Sequence, residues 1–121
     1  MHTTEIRTRP VDGVLSITQQ LEPHDMAAVV RAGFRSVVNN RPDFEGGAGQ
    51  PTSSELEAAA RANGLQYRHL PVPPSGHSDA QARAMVDLVA ALPHPVLAFC
   101  RTGNRSAALY EKGNSHGGQG R

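Results

Sequence analysis

The chain of 121 residues is poor in several residue types at once, with one cysteine, no tryptophan, two tyrosines and three phenylalanines. A single cysteine excludes an internal disulfide and fits a reducing compartment, so the cytoplasm is the expected location. Aromatic side chains make up only 4% of the chain, which argues against an aromatic-lined ligand pocket, and the many alanines suggest helices packed close against a sheet. No apolar run reaches the roughly 18 residues that cross a bilayer, and the first seven residues lack the apolar core of a signal peptide. A net charge of +1 without any run of Lys or Arg gives no reason to expect nucleic acid as a partner. His2, His24, His77 and His94 show no His-x-x-x-His or Cys/His spacing, so neither a metal nor a cofactor is expected. There are no repeats, and the length suits one domain. Nothing in the sequence sets the oligomeric state.

What is present alternates between strand and helix patterns. Residues 14–17 read as a short strand beside which residues 5–9 can pair. Pro23 and Asp25 then open a helix that carries Met26, Val29 and Val30 and stops at Gly33. Residues 34–39 are a second strand, so the first three elements form a parallel crossover unit. A helix from Thr52 has capping-box spacing to Glu55 and ends at Asn63-Gly64. Residues 65–72 form a third strand in which His69 is one polar position. Residues 79–92 form a helix with an apolar stripe of Met85, Val86, Leu88, Val89 and Leu92, capped by Ser78 or Asp79. These elements predict a three-layer α/β fold with a small, mostly parallel central sheet and helices on both faces. After Tyr110 the apolar periodicity fails, so residues 1–110 form the expected domain and the glycine-rich residues 111–121 a flexible tail.

Two loops carry the chemistry. Four apolar residues, Val96 to Phe99, run into the sole cysteine, and Cys100-Arg101-Thr102-Gly103-Asn104-Arg105-Ser106 leads into an alanine-rich helix. A thiol at that junction meets loop N–H groups and a helix N-terminus, surroundings that favour a thiolate and also bind an anion. Gly103 permits backbone angles that other residues resist. Thr102 and Ser106 offer hydroxyls that can bond a thiolate, Arg101 and Asn104 complete the anion-binding loop, and Arg105 can grip two oxygens at once. The second loop, residues 39–51, leaves the carboxyl end of a parallel strand, where ligands bind in open α/β sheets. Arg41 is its candidate anion contact, and Asp43 or Glu45 its candidate acid. Asp79 is better explained as a helix cap.

The cysteine loop resembles the active-site loops of cysteine-dependent phosphatases and of rhodaneses, with Cys100 as nucleophile and Arg105 as anion binder. Four residues separate them, as in rhodanese-type sulfurtransferases, where tyrosine and dual-specificity phosphatases have five. The whole order of Ala32-Gly33-Phe34, Asn40-Arg41-Pro42-Asp43, Gln50-Pro51, Gly64-Leu65, His69-Leu70-Pro71-Val72 and the cysteine loop resembles the phosphatase-like domain of beta-lactamase hydrolase-like proteins. That resemblance spans roughly residues 11–110 and implies a protein tyrosine phosphatase-like fold acting on a small anionic substrate. It implies a hydrolase that passes through a cysteinyl-phosphate on Cys100, with Arg105 and the loop binding phosphate; Asp43, from its place in the loop expected beside the site, is the acid taken for that reading. A sulfurtransferase carrying a persulfide on Cys100, its substrate a sulfane-sulfur donor, is the alternative that loop length favours. An inactive anion-binding module is a third.

Overall fold

A computed structural model describes the backbone of residues 5–119 and the side chains of residues 5–115. Its strands are β1 (Arg9–Pro10), β2 (Leu15–Thr18), β3 (Ser36–Asn39), β4 (Gln66–His69) and β5 (Val96–Phe99). Its helices are α1 (Met26–Arg31), entered through a 3-10 turn at Pro23–Asp25, α2 (Ser53–Ala62), α3 (Asp79–Ala91) and α4 (Asn104–Gln119). The strands form one five-stranded sheet in the order β1-β2-β5-β3-β4, in which only β1 is antiparallel to its neighbour. This is the expected three-layer α/β architecture.

Strand periodicity sorts the core between the two faces. Val38, Val96 and Ala98 pack with Met85 and Val89 of α3 and Leu109 of α4. Val37, Leu97 and Phe99 point the other way, against Met26 and Val29 of α1 and Leu56 and Ala60 of α2. Because β5 is covered on both faces, all four of its residues are apolar and fully buried. It lies between β2 and β3 with Thr18 and Asn39 both opposite Phe99. The chain segments leaving β2, β3, β4 and β5 therefore emerge together at one end of the sheet.

The C-terminus departs from the sequence expectation. Instead of a tail from residue 111, α4 continues to Gln119, so the expected boundary at residue 110 falls inside a helix. Residues 120–121 of the expected tail lie outside the described residues. The reason is a close crossing of α4 on α3. Gly113 is buried, and a Cβ there would collide with the Ala82 carbonyl and the Val86 side chain. A glycine that looks like a helix breaker in the sequence is the contact point that lets two helices approach. Lys112 strengthens the crossing through an ion pair with Asp79 at 3.3 Å. Once the packed part of α4 forms, adding further residues is far easier than starting a helix.

Candidate active site

The cysteine loop is shaped by what lies beneath it. Gly103 has φ of +97°, and a Cβ there would stand 3.0 Å from the Thr18 carbonyl oxygen at the end of β2. Conformation and space both demand glycine. The Gln20 N–H donates to the Arg101 carbonyl at 3.2 Å, and the Asn104 N–H to Thr102 Oγ1 at 3.2 Å. The loop is thereby pinned on both sides before α4 begins.

Inside the loop, Cys100 is 1% exposed. The Gly103 N–H donates to its Sγ at 3.1 Å. Burial pushes the thiol pKa up, but the backbone N–H groups of Ser106, Thr102, Gly103 and Arg105 outweigh it and hold the pKa below its ordinary value. The Ser106 hydroxyl, a candidate thiolate partner by sequence, is buried with no hydrogen-bond partner among the described residues. Cys100 borders a cleft of about 400 Å³ whose lining also includes Arg101, Thr102, Asn104 and Arg105, together with residues 73–77.

Arg105 reaches this cleft from the first turn of α4 and is held from behind. Its Nη1 donates to Glu45 Oε1 at 2.9 Å and to the Val72 carbonyl at 3.0 Å, and its Nη2 donates to Glu45 Oε2 at 3.0 Å. A guanidinium has five N–H bonds. Those contacts use both Nη1 hydrogens and one on Nη2, which leaves Nε–H and the second Nη2–H on one edge, the bidentate geometry that grips a phosphate. Glu45 also accepts from Arg41 Nε at 2.9 Å, while Arg41 Nη1 donates to Gln20 Oε1 at 3.0 Å. The Arg105 hydrogen bonds, against the opposing effect of burial, and those from Arg41 hold the Glu45 carboxyl below the usual carboxylate range.

The loop after β3 is built to deliver Glu45. His69 Nε2 donates to the Arg41 carbonyl at 2.8 Å, and the Arg41 N–H donates to Asn39 Oδ1 at 2.8 Å. Phe44 takes φ of +65°, a costly conformation for a bulky side chain, at the turn that brings Glu45 back onto the arginines. Arg41 is thus one step removed from the cleft: it does not line it and acts through Glu45. Asp43 does not line the cleft either, and its Oδ1 accepts from the Ser53 N–H at 2.7 Å at the start of α2. Asp79 is held by Lys112.

Sequence reasoning passed over His77, which lies in the wall of the cleft facing the cysteine loop. Burial, then the nearby Lys112 charge, lowers its pKa below the ordinary histidine value. Its backbone carbonyl accepts from Lys112 Nζ at 3.1 Å, tying the wall to α4. The available signal was positional: the segment leaving β4 had to arrive at the end of the sheet that carries Cys100, and His77 is the titratable side chain within it before Asp79. Among the described residues, no group of three His, Cys, Asp or Glu side chains is placed to hold a metal ion, and no helix is long and apolar enough to cross a membrane.

Comparison with known proteins agrees with this geometry. Residues 7–116 match the family model for the phosphatase-like domain of beta-lactamase hydrolase-like proteins. The chain is 34% identical over 105 residues to a beta-lactamase hydrolase-like protein of Agrobacterium fabrum, covering 87% of this chain and 24% of that one. It therefore spans about a quarter of that relative's length. Among solved structures, one described as a candidate phosphatase from Neisseria meningitidis superposes with a TM-score of 0.81 at 27% identity, over 93% of this chain and 78% of that one. A second, of a candidate phosphatase from Shewanella putrefaciens, gives 0.75 at 18% identity, over 96% and 76%.

Proposed function

The chain belongs to the family of phosphatase-like domains of beta-lactamase hydrolase-like proteins, and we propose that it hydrolyses phosphate esters through a covalent intermediate on Cys100. The observation that carries this reading is that one cleft is bordered both by a buried cysteine whose sulfur is ringed by N–H groups and by an arginine that keeps two N–H groups unused on one edge. The Cys100 thiolate attacks phosphorus in line and expels the alkoxide. The loop N–H groups and the Nε/Nη2 edge of Arg105 hold the equatorial oxygens, where charge develops. Arg101, Thr102 and Asn104 frame the bound anion, and Gly103 lets the loop close beneath it. Ser106, expected there by sequence, is buried outside the cleft and serves through its backbone N–H on the sulfur.

The leaving oxygen needs a proton, and the acid we assign is the His77 imidazolium. Asp43, the acid suggested by sequence, is engaged at the α2 N-terminus, and Arg41 supports Arg105 through Glu45. After the alcohol departs, neutral His77 takes a proton from the water that attacks the cysteinyl-phosphate, which releases inorganic phosphate and restores the thiolate.

A sulfurtransferase would use the same thiolate, and the four-residue spacing between Cys100 and Arg105 is the feature that favours it. A paired assay decides: p-nitrophenyl phosphate hydrolysis against thiocyanate formation from thiosulfate and cyanide, for wild type, Cys100→Ser and Arg105→Lys. Phosphate release that requires Cys100 and drops about 100-fold or more in Arg105→Lys, where a point charge replaces the fork, is the expected result. Thiocyanate formation dependent on Cys100 without phosphate release would overturn the proposal.

A further inference from the structure

A second cleft opens on the far side of the same loop. Of about 260 Å³, it lies between the β1–β2 edge and the start of α4, and Thr102 and Asn104 line both clefts. Its other walls carry Arg7, Arg9, Thr18 and Gln19, and among the described residues no acidic side chain lines it. The backbone that presents the two arginines is fixed. Arg9 pairs with Ile17 in the sheet, and the Thr18 hydroxyl donates to the Arg7 carbonyl at 2.6 Å. Neither guanidinium has an ion pair or a side-chain hydrogen bond among the described residues. This differs from the arginines that support the catalytic loop, Arg41 and Arg105, which both rest on Glu45.

We propose that this second cleft binds an additional anionic group of the substrate, so that the preferred ester carries a further phosphate or carboxylate on a short spacer. The inference rests on the phosphatase reading for its choice of substrate but not for the binding itself. The rim between the clefts is the two peptide units from Thr102 to Asn104, at most about 8 Å. An extended three-carbon spacer separates two anionic groups by a length comparable to that rim, so esters of this size are the ones to test across it. Both guanidiniums are free to form charge-assisted contacts with phosphate or carboxylate.

The test compares propyl phosphate, 3-carboxypropyl phosphate and 1,3-propanediol bisphosphate as substrates of wild type, Arg7→Gln/Arg9→Gln and Arg35→Gln. Arg35 begins the chain segment entering β3, at the opposite end of the sheet from the clefts, and controls for a general loss of positive charge. Wild type should favour the two dianchored esters by about tenfold in kcat/KM, and the double variant should lose about that factor, the scale of two exposed ion pairs. The relative response of the carboxylate and bisphosphate arms identifies the anion preferred. In parallel, calorimetry on Cys100→Ser measures binding of 1,3-propanediol bisphosphate without turnover, and the same arginine substitutions in that background should weaken it about tenfold. Equal kcat/KM for all three esters in wild type, or an equal loss of preference in Arg35→Gln, overturns the second subsite. Absence of hydrolysis with arginine-dependent binding overturns the phosphatase reading and leaves the subsite standing. Bisphosphate binding that is unaffected by the arginine substitutions refutes the subsite whatever the turnover.

Discussion

Replacing Glu45 by Gln tests the support of the catalytic arginine. The substitution keeps shape and one acceptor oxygen but removes the charge that Arg105 and Arg41 share. Side-chain exposure is 11% for Arg105, 10% for Arg41 and 15% for Glu45, so water screens these contacts only weakly. Removing one partner of a buried ion pair costs about 3–5 kcal/mol. Here the Val72 carbonyl and Gln20 Oε1 remain for the two arginines, and the new amide can still accept one bond. A loss of about 2–3 kcal/mol is therefore expected, which lowers the melting temperature of a domain this size by about 6–15 °C. The pH dependence supplies an internal check. The Glu45 pKa is depressed in the fold, so its contribution is complete above the unfolded carboxyl pKa and disappears as pH falls through the lower folded value. The gap in stability between wild type and variant should close in acid. Activity at neutral pH should fall about tenfold or more because Arg105 is no longer held in line. Calorimetric melts across pH, with steady-state kinetics on p-nitrophenyl phosphate, measure both. A variant that melts within about 1 °C of wild type at neutral pH and keeps full turnover would refute the role given to Glu45.

Alkylation of Cys100 by iodoacetamide should show a midpoint below the unperturbed thiol value of about 8.5, because its backbone donors outweigh burial; a midpoint at or above that value would mean that no thiolate cradle exists. For alkyl phosphates, kcat should fall as pH rises through the depressed His77 pKa, below about 6.5, and His77→Gln should abolish that limb while affecting p-nitrophenyl phosphate less. An unchanged limb in the variant would assign the acid elsewhere. Gly113→Ala should destabilise by about 1–2 kcal/mol in a chemical melt, since the clash with the Ala82 carbonyl exceeds the gain in helix propensity; a stabilised variant would show that the α3–α4 crossing can open.

Much of this was readable from the chain because local signals agreed with the fold. The four apolar residues of β5, the Thr52/Glu55 capping box of α2 and the glycine at position 103 each have one economical structural explanation, and each is found. The capping pair Ser78/Gln81 of α3 resolves the choice between Ser78 and Asp79 in favour of serine. What stayed hidden depends on tertiary contacts. Gly113 looks the same in sequence whether it frees a tail or admits a neighbouring helix. The partners of Asp43 and Glu45 follow from the left-handed turn at Phe44, which no local pattern announces. These two carboxylates are two residues apart, yet one faces the backbone of α2 and the other a pair of arginines. Arg7 and Arg9 gain meaning only because β1 pairs along β2 and so borders the cysteine loop.

The most direct test of the central claim is the identity of the group that Cys100 carries during turnover. Wild-type protein mixed with p-nitrophenyl phosphate, quenched within one turnover and digested, should yield the Cys100 peptide bearing a phosphoryl group by mass spectrometry, and Cys100→Ser should not. A Cys100 peptide that gains a single sulfur from thiosulfate, with no phosphoryl adduct from any ester, would contradict the assignment.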